Sequence, residues 1–200
     1  MRYGVAQIPG HQADGYVPNE YYMNLAIEEA IQCIPRGQHP VGAIVTRTME
    51  IYSVDEQRKV VREFVAGIGA NAVEGCSMQH AEVAAIQQAE THHGRHKLQE
   101  MKAVLYTTHE PCPMCAGLIA NSKLSGVVFG TSAEDARELV NRQGIKWRSN
   151  AVSGIDIILG RQENGMPEQF VTGGFMRDKC LELLGKVTLL GGSKAVASVE

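Results

Sequence analysis

His80-Ala81-Glu82 and, further along, Pro111-Cys112-Pro113-Met114-Cys115 constrain this chain more than any other feature. An imidazole and two thiols suit zinc, and two cysteines separated by two residues can reach one ion together. His80 and Cys112 stand 32 residues apart, so the fold must bring two distant segments to one point. Each segment opens a stretch of helical character, VAAIQQA after the histidine and AGLIA after the cysteines. Helix N-termini favour thiolates and present N–H groups, so two facing helix starts are the expected frame. Three protein ligands leave a fourth tetrahedral position for water, whose pKa zinc lowers to about 7. Glu82, two residues past the histidine, is near enough to move that water's proton without touching the metal.

Other readings account for part of the pattern. Cys76 stands four residues before His80 and could close the sphere as a fourth ligand, making the site structural. A CxxC alone also serves thiol redox chemistry, and His80 could be an ordinary core histidine. The open zinc centre uses the histidine, Glu82, Pro111 and both cysteines together. The remaining thiols are Cys33 and Cys180, and an odd count of five without a secretory signal argues against a disulfide framework.

The 200 residues are 44% hydrophobic, enough for one well-buried core. Nineteen basic and 22 acidic residues leave a formal charge of −3, an ordinary solvated surface and not the footprint of a polyanion binder. No apolar run approaches the roughly 20 residues of a membrane span. The opening MRYGVAQIPGHQADGYV has no continuous apolar stretch of the kind a secretory signal needs. A cytoplasmic protein with no membrane partner is expected.

Residues 1–18 read as an extended leader, 19–186 as one domain and 187–200 as a loose tail. NEYYMNLAIEEAIQCI has helical spacing, with Asn19 as N-cap and Pro35 and Gly37 as the stop. VGAIVT, AVLYTTHE, GVVFGT and DIILG read as strands. Helices are expected over Ala81–Ala89, from Pro111 through Ile119, over SAEDARELV and over RDKCLELLGKV. The stretch 50–66 is ambiguous, with IYSV a strand and DEQRKVVREFV a short charged helix or an insertion. GIGANA lacks the full glycine pattern of a dinucleotide loop and reads as a plain turn. Strands alternating with helices point to an α/β layered domain.

H-x-E followed by P-C-x-x-C is the signature of the zinc deaminases. At these residues the sequence resembles the cytidine deaminase superfamily, in particular its tRNA-adenosine deaminase and guanine deaminase branch. EYYMNLAIEEA, HPVGAIV, HAEVAAI, LYTTHEPCPMCAGLIANSKLSGVVFG and TGGFMRDKCLELL are similar to successive family segments, covering most of residues 19–186. The resemblance implies a three-layer α/β/α sandwich around a central mixed five-stranded sheet, usually dimeric. It implies Zn2+ held by His80, Cys112 and Cys115, Glu82 as proton carrier, and hydrolytic release of ammonia from a nucleobase or nucleoside of guanine, cytosine or adenosine type.

The resemblance also implies an Asn ahead of the H-A-E helix that touches substrate, matched here by Asn71, and a ring carbonyl meeting the N–H of Ala81. Asn71 could equally be a turn residue. Glu134 and Asp135 stand where guanine-type members carry acids that touch the base, although helix-face acids also serve solubility. Trp147 or Phe129 could stack on the ring, or pack in the core. The segment ahead of Asn71 is longer than is usual in the family. The tail GKVTLLGGSKAVASVE lacks the basic cluster of tRNA-editing members. A small base or nucleoside is therefore the expected substrate, with a tRNA adenosine deaminase and a non-catalytic zinc-stabilised interaction module as alternatives.

Overall fold

Alternation along the central strands decides the architecture. In β1 (Gly42–Ser53) Ala43 and Val45 face one core while Ile44 faces the other, and in β3 (Val104–His109) Leu105 opposes Val104 and Tyr106 in the same way. In β4 (Gly126–Thr131) Val127 and Phe129 share the first core and Val128 the second. A strand with both faces apolar needs a helical layer on each side. The computed structural model describes residues 16–53, 57–94, 97–142, 152–160 and 169–186. Trp147 and most of the expected leader and tail fall outside them.

One layer holds α1 (Glu20–Ile31) and α6 (Arg177–Gly185), which contribute Met23, Ala26 and Cys180 to the second core. Opposite lie α2 (Ala81–His93), α3 (Pro113–Asn121) and α5 (Gly154–Leu159), with Ala85, Ile86, Ile119 and Ile158 in the first core. A further helix, α4 (Ala133–Arg142), follows β4. With β2 (Arg58–Ala70) and β5 (Phe170–Thr172), the sheet runs β2-β1-β3-β4-β5. The first three strands pair antiparallel, and β3-β4 and β4-β5 pair parallel. This is the mixed five-stranded α/β/α sandwich expected from the resemblance.

Asn19 caps α1 as expected, its Oδ1 accepting the Tyr21 N–H at 2.9 Å. Three segments differ from the sequence reading. Residues 58–70 form a strand and not a charged helix, paired with β1 from Ser53↔Arg58 to Gly42↔Ala70 with one register shift between Val45 and Thr46. The charges of DEQRKVVREFV mask its β-branched valines, and the exposed Arg58, Lys59 and Arg62 show that this part of the hairpin is solvated. The same strand takes in the first four residues of GIGANA, Gly67 to Ala70. A side chain at Gly67 or Gly69 would strike the backbone of α2 at Ala85 or Ala81, so these glycines seat the helix on the strand. DIILG is helical, because Ser153 accepts the Ile155 N–H at 3.1 Å and starts α5 where apolar content alone could not distinguish helix from strand. The short β5 was not expected at all.

Candidate active site

Two helix starts meet where β1 begins and β3 ends. His80 is the N-cap of α2 and Cys112 the N-cap of α3, both in extended conformation. Their carbonyls accept the first helical bonds, from Ala84 at 3.0 Å and from Ala116 at 2.8 Å, while neither side chain caps its own helix. Cys115, one turn into α3, is buried beside them. His80 Nδ1 lies 3.6 Å from Cys112 Sγ and 3.5 Å from Cys115 Sγ.

These separations test the donor set. Tetrahedral zinc, with bonds of about 2.1 Å to nitrogen and 2.3 Å to sulfur, places its N and S ligands about 3.6 Å apart. His80, Cys112 and Cys115 are arranged as three ligands of one zinc ion, their donor atoms all within 4.8 Å of one another. Cys76 is not part of that group, so among the described residues the set has three members and leaves a fourth position open. A hydrogen bond from the Cys115 thiol pushes the Cys112 pKa down to about 4, with His80 adding to the effect, while Cys115 is pushed up as the holder of the shared proton.

A cavity of about 500 Å³ opens over this group. Glu82 reaches it from the first turn of α2; its side chain is buried, and among the described residues its Oε2 has no hydrogen-bond partner. Burial pushes its carboxyl up to about 7, helped by the neighbouring Cys112, although its own backbone N–H and His80 act the other way. Asn71, at the end of β2, is buried on the cavity wall and firmly held. Its N–H donates to Val41 O at 3.0 Å and its Nδ2 to His39 O at 3.2 Å. Ala81 is fully buried in the first turn of α2, where N–H groups lack intrahelical acceptors.

Of the other residues singled out in the sequence, Asp135 and Phe129 are not among those lining the cavity, while Glu134 is. Asp135 accepts the Ser132 N–H at 3.1 Å and pairs with Arg177, away from the cavity lining. Glu134, next to it, does line the mouth and pairs with Arg137 at 2.5 Å. Phe129 is buried in the core beneath Gly173 and lines no part of the cavity.

Sequence reasoning passed over His39, His109 and Glu110. His39 and His109 are partly buried wall residues. Burial, with His80 nearby, lowers His39 to about 4. Burial, with His39 nearby, lowers His109 to about 3, and Asp135 and the Thr131 backbone only partly oppose this. Glu110 accepts the Ala133 N–H at 2.9 Å, and its carboxyl is pushed up by burial. The available signal was position: His39 immediately precedes PVGAIV, and His109-Glu110 immediately precede Pro111-Cys112, at the strand ends where α/β sheets bind ligands.

Comparison with known proteins agrees with this geometry. Residues 18–177 match the family model of the MafB19-like deaminases. The chain is 31% identical over 122 residues to the tRNA-specific adenosine deaminase of Buchnera aphidicola subsp. Schizaphis graminum, a match covering 60% of this chain and 70% of that one. It is 37% identical over 112 residues to the tRNA-specific adenosine deaminase of Bacillus subtilis, covering 56% of this chain and 61% of the relative. The guanine deaminase of Nitrosomonas europaea superposes with a TM-score of 0.59 at 24% identity over 84% of both chains, a likeness of fold. The chain is a member of the MafB19-like deaminase family, among the zinc-dependent deaminases of the cytidine deaminase superfamily.

Proposed function

We propose that this protein hydrolytically deaminates a free nucleobase or nucleoside, exchanging an exocyclic amino group for oxygen and releasing ammonia. One observation carries the reading: three zinc donors and the buried, unpartnered carboxylate oxygen of Glu82 share one cavity large enough for a purine. His80, Cys112 and Cys115 would hold zinc, which would supply Lewis acidity and lower the pKa of a water to about 7. Glu82 takes the proton of the attacking water and returns it to the departing amino nitrogen. A carboxyl whose pKa lies near neutrality suits both halves of that transfer. The Asn71 amide, with Nδ2 held by His39, is left with Oδ1 as acceptor for a ring or sugar donor. The Ala81 N–H, at a helix start, faces developing negative charge on the ring.

A second reading, adenosine deamination in tRNA, draws support from the relatives at 31% and 37% identity. The net charge of −3 speaks for the smaller substrates. Ammonia release from guanine, cytosine, adenine, their ribonucleosides and tRNA separates the two readings. Turnover of tRNA alone would reverse the order, and turnover of nothing would leave a zinc-stabilised interaction module. We further propose a homodimer, the family expectation, working in the cytoplasm. Among the described residues no helix is long and apolar enough to cross a membrane.

A further inference from the structure

A planar ring bound over the metal group needs a face to lie on and polar atoms to read its edge. Neither aromatic singled out in the sequence is placed on the wall: Phe129 is core, and Trp147 falls outside the described residues. Among the described residues that line the cavity, the aromatic rings are those of His39, His80 and His109, and His80 is a zinc ligand. The other two come from separate segments, just ahead of β1 and at the end of β3. Their ring centroids lie 6.3 Å apart with the planes at 85°, one edge toward the other's face. His39 also accepts the Asn71 Nδ2 at its main-chain carbonyl, so the Asn71 amide is tied to the backbone that carries this imidazole.

The geometry points to His39 and His109 as the residues that set ring specificity, a pair of imidazoles on the cavity wall that select a heteroaromatic ring by its edge atoms. This assignment rests on the deaminase reading of the same cavity. Both rings belong to wall residues, and an imidazole nitrogen offers either an N–H donor or an acceptor. A wall built from such groups rejects a ring whose edge does not match, because a buried polar group then loses its partner. An aliphatic wall of the same size accepts rings by shape alone. His39 and His109 are therefore specificity-determining, and the proton transfer stays with Glu82.

The test is equilibrium binding of guanine, adenine, cytosine and their ribonucleosides to the zinc-loaded Glu82→Gln protein, in which turnover is blocked. Adding His39→Leu should weaken the tightest ligand by about tenfold or more and the poorer ones less, so that the spread of affinities contracts. Zinc should stay at one per chain. His39→Gln, whose amide keeps a donor and an acceptor, should recover part of the spread, and His109→Leu should contract it independently. Equal weakening of every ligand, or no change at all, overturns the assignment. Should His39→Leu lose its zinc or its fold, His39→Gln decides alone: a narrowed or reordered set of affinities supports the assignment and an unaltered set overturns it. If the wild-type protein releases no ammonia while the ligands still bind and His39 still orders them, the proposed reaction fails and this inference stands. If no ligand binds, both fail.

Discussion

Glu82 is the acidic side chain of the site whose pKa its surroundings push up to about 7. It sits in the first turn of α2, is 3% exposed, and has one carboxylate oxygen without a partner among the described residues. Leaving such a group unsatisfied costs roughly 1–3 kcal/mol, a cost that a proton-carrying role explains. Glu82→Gln should keep one zinc per chain by metal analysis while lowering kcat on the order of 10²–10⁴. Loss of zinc together with activity would instead make Glu82 structural. The partly buried histidines of the cavity wall, His39 and His109, give a second prediction at this scale. Their folded pKa values lie below the unfolded 6.5, so the unfolded chain binds more protons as the pH falls. Their contribution to stability is complete above about pH 6.5 and is lost as the pH drops toward 4, about 3 kcal/mol for His39. Denaturant midpoints measured between pH 7 and 4.5 should fall, and His39→Gln should flatten the fall; an unchanged slope would show that His39 does not carry it.

At the scale of elements, the site depends on how α2 and α3 are seated. Gly67 and Gly69 let α2 approach β2 closely enough for His80 to meet the cysteines. Gly69→Val should cost at least the 1–3 kcal/mol of an overpacked core and weaken zinc affinity, read by competition with a chelator. Asn19→Ala removes a cap at the far end of α1, so it should cost about 1 kcal/mol and leave zinc affinity unchanged. The elements legible in the sequence were those with a strong local signal: the capped α1, the apolar β1, β3 and β4, and the two helices opened by the ligand motifs. Residues 58–70 misled because their charges are spread along a solvated hairpin, and only the register with β1 shows a strand. DIILG misled because so short an apolar run carries no readable period, and Ser153 decides the outcome from outside the run. The metal donors were readable because zinc fixes both residue type and spacing. The cavity wall was not, since His39 and His109 are lone histidines whose meaning depends on two strand ends lying side by side.

The whole molecule places one cavity at one end of the sheet, with metal donors, a proton carrier and a held amide on its wall. If the family's dimer forms, sedimentation should show a single species of twice the 21.8 kDa chain across a wide concentration range, and a persistent monomer would exclude any pocket completed by a second copy. The central claim is that the zinc group and Glu82 act together on an amino group of a base. Ammonia release by the zinc-loaded chain, its chelator-stripped form and Glu82→Gln, across free bases, ribonucleosides and tRNA, tests it most directly. We expect release from at least one base or nucleoside by the zinc-loaded chain, its loss on stripping with return on added zinc, and near-silence from Glu82→Gln. Release that survives stripping, or that Glu82→Gln sustains at the wild-type rate, would contradict it.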